Sequence, residues 1–429
     1  MHTPRLLSAV GLAALCAFVV QAQQPSGPCD PGNGGITLPE GFCAAVVADN
    51  LGAARHMTFS PRGDLYVILR RASDGGAVVA LRDANGDGRF EQQEHFGPGL
   101  AGTEIEWRDN YLYVGADAKI VRFRMGEALV PAGEPETIVV LPQQRQHSAK
   151  PFAFGPNGEL FVHVGAPSNA CQNPDRKAGV PGQQPCPLLA EHGGIWKYDA
   201  NTPNQQHSPD KRWVTGIRHT VSLEWNAATR SLWGVQHGRD QLDTMWPKLF
   251  DEKQNAELPA EELQEYSDGA NFGWPYCYYD PVQRKRVLAP EYGGEGRKEG
   301  DCAKYNKPVA ALDAHMGPNA LLFYTGSQFP QQYRGGAFIA FHGSWNRAPM
   351  PQKGYNVMFV PLHGNKAAGA PTVFADHFGG ADAVMDPRKA TYRPSGLALG
   401  RDGSLYVSED AKGRIWRISH TPTKATGHR

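Results

Sequence analysis

The chain has 429 residues, of which 41% are hydrophobic and 20% charged, with 43 basic and 43 acidic side chains. That length suits two or three average domains or one large all-β domain. The balanced charge leaves no long-range field of one sign, which excludes a chain built as a whole to gather nucleic acid or an anionic membrane.

At the N-terminus Arg5 precedes an apolar run over residues 6–20, and Val20-Gln21-Ala22 offers a small-x-small cleavage site before Gln23. We expect residues 1–22 to be a signal peptide and residues 23–429 a single domain. The run is short for a membrane span, so no span is expected after cleavage and the mature chain is expected to be periplasmic or secreted. Of seven cysteines, Cys16 leaves with the signal and six remain, in three sequence-local pairs: Cys29 with Cys43, Cys171 with Cys186, and Cys277 with Cys302. An oxidising compartment favours three disulfides, with nearness the only guide to pairing. No C-x-x-C or C-x-x-C-H occurs, so zinc ribbons, thioredoxin-like chemistry and a covalent haem lack support.

Along the mature chain one unit recurs: an apolar strand, a turn with Pro or Gly, then a strand of the Leu-Tyr-Val type. It runs over residues 56–67, 150–164, 221–235 and 395–407, with weaker copies at 103–114 and 321–339. Third strands follow some units, as at residues 119–124 and 414–418. Helix patterns are scarce, residues 260–266 being the best short candidate. Six antiparallel units suit an all-β, six-bladed β-propeller with four-stranded antiparallel blades, its core over roughly residues 36–418. Residues 240–318, rich in Gly, Pro, Tyr and charge, read as a loop excursion over one face.

After the first unit, Asp83-Ala84-Asn85-Gly86-Asp87-Gly88 followed by Glu94 fits a calcium-loop spacing, with Asp83, Asn85, Asp87 and Glu94 as ligands. Strand-like residues precede it, so the alternative is a polar hairpin turn. Trp274, Tyr276, Tyr278, Tyr279 and Trp345 could stack on sugar faces, whereas Trp233 and Trp416 read as core. G-x-S-x-G does not occur, and the one G-x-G-x-x-G, Gly97-Pro98-Gly99-Leu100-Ala101-Gly102, leads into the strand unit at 103–114 rather than into a helix, which argues against a serine hydrolase and a nicotinamide enzyme.

Five segments carry a resemblance. They are Gln146-His147-Ser148-Ala149-Lys150-Pro151-Phe152, Thr215-Gly216-Ile217-Arg218-His219, Asn271-Phe272-Gly273-Trp274-Pro275-Tyr276, His342-Gly343-Ser344-Trp345-Asn346-Arg347 and Tyr392-Arg393-Pro394-Ser395-Gly396. In order and placement the set resembles the glucose/sorbosone dehydrogenase family, six-bladed propellers that bind pyrroloquinoline quinone over the central axis. The resemblance implies a quinone- and calcium-dependent dehydrogenase of an aldose or sorbosone-like sugar, passing electrons to a separate cytochrome or membrane quinone. It implies His147 as general base and Arg218 as the cation stabilising charge on the quinone oxygen. It also implies Lys150, Arg218, His219, Trp345, Arg347 and Arg393 around the cofactor, and main-chain carbonyls near Gly238 and Arg239 as calcium ligands. His219 stands where many relatives place Asn, and Lys150 where sorbosone-type relatives often place Arg. Two other readings stay open: a calcium-dependent propeller lactonase, which needs carboxylate and Asn ligands at the axis, and a non-catalytic carbohydrate- or protein-binding propeller.

Overall fold

A computed structural model of the chain describes residues 29–73 and 75–421; the expected signal peptide, with Cys16, lies outside them. The six sequence units are the inner hairpins of six four-stranded antiparallel sheets arranged as blades. Blade 1 is built from Ala54–Phe59, Leu65–Ser73, Gly76–Arg82 and Gln92–Phe96, and blade 2 from Gly102–Arg108, Tyr111–Ala116, Lys119–Arg124 and Glu136–Val140. Gln205–Gln206 adds a short parallel edge to blade 2. Blade 3 contains Phe152–Phe154, Glu159–Val164, Gly194–Asp199 and Arg212–Thr215, and blade 4 Thr220–Asn226, Ser231–Gln236, Glu261–Tyr266 and Ala310–Leu312. Blade 5 contains Pro318–Phe323, Ala337–Phe341, Asn356–Val360 and Thr372–Ala375. Blade 6 takes Pro394–Leu399, Leu405–Glu409 and Ile415–His420 from the C-terminal end and Phe42–Ala48 from the N-terminal end, paired from Phe42↔His420 to Ala48↔Ile415. That pairing closes the ring by joining strands from both ends of the propeller in one blade.

Each sheet is covered on both faces. Apolar clusters fill the interface between every successive pair of blades; between blades 3 and 4, for example, Phe161, Ile195 and Val214 meet Leu223, Leu232 and Tyr266. This is why Leu65, Tyr66, Val67, Ile68 and Leu69 are all buried, and why the strands read as continuous apolar runs rather than alternating ones. Trp233 and Trp416 are core residues, as expected.

Two expectations are corrected. Residues 260–266 are not helical: Glu261–Tyr266 is the third strand of blade 4, paired from Leu232↔Tyr266 to Gln236↔Glu262. The helix formers there yield to pairing and burial. The stretch 240–318 is also not all loop, since it supplies two strands of blade 4, the helices Leu242–Met245 and Glu252–Glu257, and a separate hairpin of Cys277–Asp280 and Lys285–Leu288. The three disulfides are those read from the sequence, with Cα–Cα distances of 5.9 Å for Cys29–Cys43, 6.1 Å for Cys171–Cys186 and 5.9 Å for Cys277–Cys302. Among the described residues no helix is long and apolar enough to cross a membrane.

Candidate functional site at the axial mouth

Antiparallel pairing decides which residues gather at the axis. The start of each blade's first strand lies opposite the end of its second, as in Thr220↔Gln236, Pro394↔Glu409, Pro318↔Phe341 and Gly102↔Ala116. Every blade therefore brings two short stretches to one face: the residues just before strand one and those just after strand two. Backbone bonds tie them, with His237 N donating to the His219 carbonyl at 2.8 Å and Asp410 N to the Arg393 carbonyl at 3.2 Å.

On the side of blades 3 and 4 this gathers histidines. His147 stacks on His219 with ring centroids 4.5 Å apart, and His219 lies 4.9 Å from His237 and 6.1 Å from His163. His147 Nδ1 lies 2.5 Å from the Ala166 carbonyl. A carbonyl can only accept, so the proton sits on Nδ1 and the lone pair on Nε2. Burial, and then the Arg218 charge, holds His147 well below the ordinary histidine range, so it is neutral. His219 is depressed well below that range by burial and by its histidine neighbours, His163 to about 3 and His237 to about 4 by burial first. The backbone at His147 has φ 52°, a left-handed conformation a histidine rarely adopts, and it turns the ring toward His219.

Beside the histidines lies an arginine–aspartate knot. Arg218 Nη1 donates to the Gly238 carbonyl at 2.9 Å and Nη2 to Asp240 at 2.6 Å. Asp240 also accepts from Arg176 at 3.0 Å, and its backbone is clamped in both directions by the Asn169 amide. Burial opposes the charge on Asp240, but Arg218 and Arg176 hold its carboxyl well below the usual range. Arg239 pairs with the buried Glu291, which also accepts from Trp246 Nε1 at 2.9 Å.

On the side of blades 6, 1 and 2 a second set converges. Arg55 pairs with Asp410 at 2.8 Å, and Asp410 also accepts from His342 Nε2 at 2.7 Å. Arg393 donates to the carbonyls of His342 at 3.2 Å and Gly343 at 3.0 Å, both uncharged partners. Arg70 bridges Asp117 at 3.1 Å and Ser148 Oγ at 3.2 Å, reaching the loop that carries His147. Lys150 is fully buried, its Nζ donates to the Ser148 carbonyl at 2.8 Å, and burial lowers it to about 8.

The structure thus brings together His147, Arg218, His219, Gly238 and Arg239, places Arg393 on the facing wing, and sets Lys150 behind the wall. Arg347 is not at the mouth with them: it is buried among the carbonyls of Ala256, Ala314 and Pro351. Trp345, two residues beyond Gly343, is 52% exposed. Trp274 and Tyr278 are buried, Trp274 Nε1 donating to the Asn169 carbonyl at 2.9 Å, so they are framework rather than an open stacking platform. In the turn after blade 1's third strand, carboxylate oxygens of Asp83, Asp87 and Glu91 lie within 4.8 Å of one another. Asn85 bonds Asp87 and Glu91 there. Glu94 belongs to the next strand, Gln92–Phe96, and accepts from Gln92 Nε2; the chain reverses sooner than a helix–loop–helix hand, so Glu91 takes the position read for Glu94.

The sequence reading missed Arg55, Arg70, Asp117, His163, Arg176, His237, Asp240 and Asp410 as members of the site. The repeat register held a signal for most of them. Asp117, His237, Asp240 and Asp410 occupy the same two mouth positions in their blades as His147, Arg218 and Arg393 do in theirs, and Arg55 and Arg70 lie just inside blade 1's first and second strands.

Comparison with known proteins places this geometry. The family model described as TrAA12-like matches residues 36–421. An uncharacterized protein of Borreliella burgdorferi is 24% identical over 330 residues, covering 73% of this chain and 74% of that protein. A pyrroloquinoline quinone-dependent pyranose dehydrogenase of Coprinopsis cinerea is 28% identical over 240 residues, 47% of this chain; the match spans only 30% of that longer protein. Among solved structures, the calcium structure of the Trichoderma reesei family AA12 enzyme superposes with a TM-score of 0.72 at 19% identity, over 90% of this chain and 97% of that one. The holo quinone domain of the Coprinopsis cinerea pyranose dehydrogenase gives 0.71 at 18% identity, over 92% and 99%. These likenesses establish the shared propeller, and the match over nearly all of the described propeller shows that the chain belongs to the TrAA12-like family.

Proposed function

We propose that this chain is an exported, pyrroloquinoline quinone-dependent dehydrogenase of a sugar, an aldose or a sorbosone-like compound, with His147 as the general base. The observation that carries the reading is a neutral imidazole whose Nε2 lone pair makes no hydrogen bond within the described residues, set beside a wall of guanidinium groups. A tricarboxylate quinone fits such a wall. The Arg393 guanidinium bonds only carbonyls and is the first candidate to pair a carboxylate of the cofactor; Arg218 is the candidate to face the quinone oxygen, His219 lies beside it, and Lys150, buried behind the wall, supports the cofactor side through the Ser148 carbonyl. When bound, the quinone supplies the two-electron acceptor for a hydride. His147 Nε2 takes the proton of the sugar hydroxyl, and the carbonyl of Ala166 stabilises the imidazolium that results. Trp345 offers an exposed ring for the sugar's apolar face.

Calcium enters the proposal at two places. The turn with Asp83, Asp87 and Glu91 presents hard oxygen ligands. At the mouth, a cation on the Gly238 carbonyl would share that oxygen's two lone pairs with Arg218. A lactonase of metal type fits less well, because Asp117, Asp240 and Asp410 are each held by an arginine. The electron acceptor is proposed to be a separate cytochrome or quinone.

The test is a titration of the purified protein with the quinone in calcium, followed by single-turnover reduction with aldoses. Wild type is expected to bind the quinone and bleach it on sugar addition. His147→Ala is expected to bind it and reduce it about a hundred- to ten-thousandfold more slowly. Reduction at the wild-type rate by His147→Ala would move the base elsewhere. Failure of the wild type to bind quinone at all would replace the dehydrogenase with a binding propeller.

A further inference from the structure

His147 reaches the mouth from a loop, residues 141–151, that holds its backbone in the left-handed region at φ 52°. A residue with a Cβ stays there only where its surroundings keep it. The neighbours of His147 are held through their side chains: Gln146 bonds Asp175 and Arg176, and Ser148 bonds Arg70. The backbone of His147 itself is held by Gln144. The Gln144 amide nitrogen donates to the carbonyls of Gln146 at 2.9 Å, His147 at 2.8 Å and Gly165 at 2.8 Å. The first two carbonyls belong to the rigid peptide planes on either side of the His147 Cα, so fixing both fixes φ and ψ there. The third ties the bend to the end of blade 3's second strand. Turning the amide over would set its oxygen against three carbonyls, which can only accept, so the nitrogen faces them.

Gly165 completes this seat by its lack of a side chain. A Cβ there would stand 2.8 Å from both the Cβ and the carbonyl oxygen of His147, and 3.2 Å from His219 Nδ1. Neither the loop nor the stacked pair of rings could keep its place against such a group. The next residue then joins the two sides. Ala166 N donates to the Arg218 carbonyl at 2.9 Å, and the Ala166 carbonyl accepts from His147 Nδ1 at 2.5 Å. We propose that Gln144 and Gly165 are positioning residues for His147: the Gln144 amide sets its backbone, and the bare Cα of Gly165 lets the ring settle on the Ala166 carbonyl and the face of His219. The effect on turnover rests on the reading of His147 as the base; the positioning itself does not.

The experiment follows the imidazole nitrogens of His147 by NMR in the cofactor-free protein, assigned as the signals lost in His147→Gln, beside the kinetics of the quinone-loaded enzyme. The groups that act on the ring are Arg218, Arg176, Asp240 and the stacked His219, and the variants replace none of them. In the wild type the proton is expected to stay on Nδ1 from about pH 5.5 to 8. Gln144→Met keeps the side chain's length without its donors, and Gly165→Ala adds the single Cβ. In both, the ring is expected to leave the Ala166 carbonyl, lose its fixed Nδ1 proton and titrate toward the ordinary 6.5. In both, kcat should fall about ten- to a hundredfold at unchanged quinone affinity. Imidazole signals that match the wild type in both variants would overturn the proposal, as would a fall in kcat without any change at the imidazole. The two variants act from different elements, so if one misfolds the other decides. The NMR measurement needs no turnover: if His147→Ala reduces the quinone at the wild-type rate, the base assignment falls and the positioning is still judged by the ring.

Discussion

At the scale of single residues, the state of His147 has a kinetic consequence. Its Nδ1 proton is tied to the Ala166 carbonyl, and burial with the Arg218 charge keeps the ring neutral far below the ordinary histidine range. A base held neutral well below the ordinary histidine value does not gain activity as pH rises through 6.5. We therefore expect kcat/KM for the preferred sugar to show no acid limb near pH 6.5, any such limb lying well below it. A pH–rate profile checks this; a limb near 6.5 that vanishes in His147→Gln would mean that the ring is solvated and ordinary. Arg393 should behave differently. Its guanidinium is bound by the carbonyls of His342 and Gly343 alone, so Arg393→Leu should weaken quinone binding about tenfold or more while leaving the melting temperature of the cofactor-free protein nearly unchanged. Equal quinone affinity in the variant would remove Arg393 from the proposed site.

At the scale of elements, Glu261 links three parts of the mouth. It opens the strand Glu261–Tyr266, and its buried carboxylate accepts from Gly238 N at 2.7 Å, Met316 N at 3.1 Å and Gly317 N at 3.2 Å. One side chain thus pins the loop after blade 4's second strand and the turn into blade 5. Glu261→Ala would orphan three backbone donors and should cost about 3 kcal/mol or more, whereas Glu261→Gln keeps an acceptor oxygen and should cost about half that. Urea unfolding of both variants measures this, and equal, small losses would make the link idle. This strand also shows where the sequence stops being informative. Glu-Glu-Leu-Gln-Glu-Tyr is written in helix formers, and only its neighbours on both sides make it a strand. The inner hairpins were legible because their turns are local, as with Pro61, Gly63, Asn157 and Gly158 around the Leu-Tyr-Val type strands. The closure of blade 6 by Phe42–Ala48 was not, since it joins residues far apart in the chain. At the site, His147 and Arg218 were legible through resemblance. Arg55 and Arg70 were not read as site residues, because their acids, Asp410 and Asp117, come from other blades.

At the scale of the whole molecule, burial shifts two sets of titratable groups in opposite directions. Histidines 147, 163, 192, 207, 219, 237, 315 and 342 are all lowered, burial being the first cause in each. Four glutamates are raised, again by burial first: Glu106 well above its ordinary range, Glu224 to about 8, Glu261 to about 7, and Glu409. On the inner strands of blades 2 and 4, the charge of Glu224 further raises Glu106, and that of Glu104 raises both. A histidine kept neutral in the fold but free to protonate when unfolded removes stability as pH falls below its unfolded value of 6.5. A glutamic acid kept protonated in the fold but free to ionise when unfolded removes stability as pH rises above its unfolded value of 4.5. Between about pH 4.5 and 6.5 the two classes oppose one another, and the more numerous histidines make stability rise with pH. From about 6.5 to 8 the glutamates still act, joined by His56, which despite its burial is raised by Glu104 and loses its stabilising charge there, and stability falls. The melting temperature of the cofactor-free protein should therefore peak near pH 6.5 and decline on both sides. Glu224→Gln, neutral at every pH, should flatten the alkaline decline and leave the acid one in place. Melting curves taken from pH 4.5 to 8.5 decide the matter: a plateau across pH 6 to 8 in the wild type would show that water reaches Glu106 and Glu224 freely along the axis and that the fold does not hold them protonated.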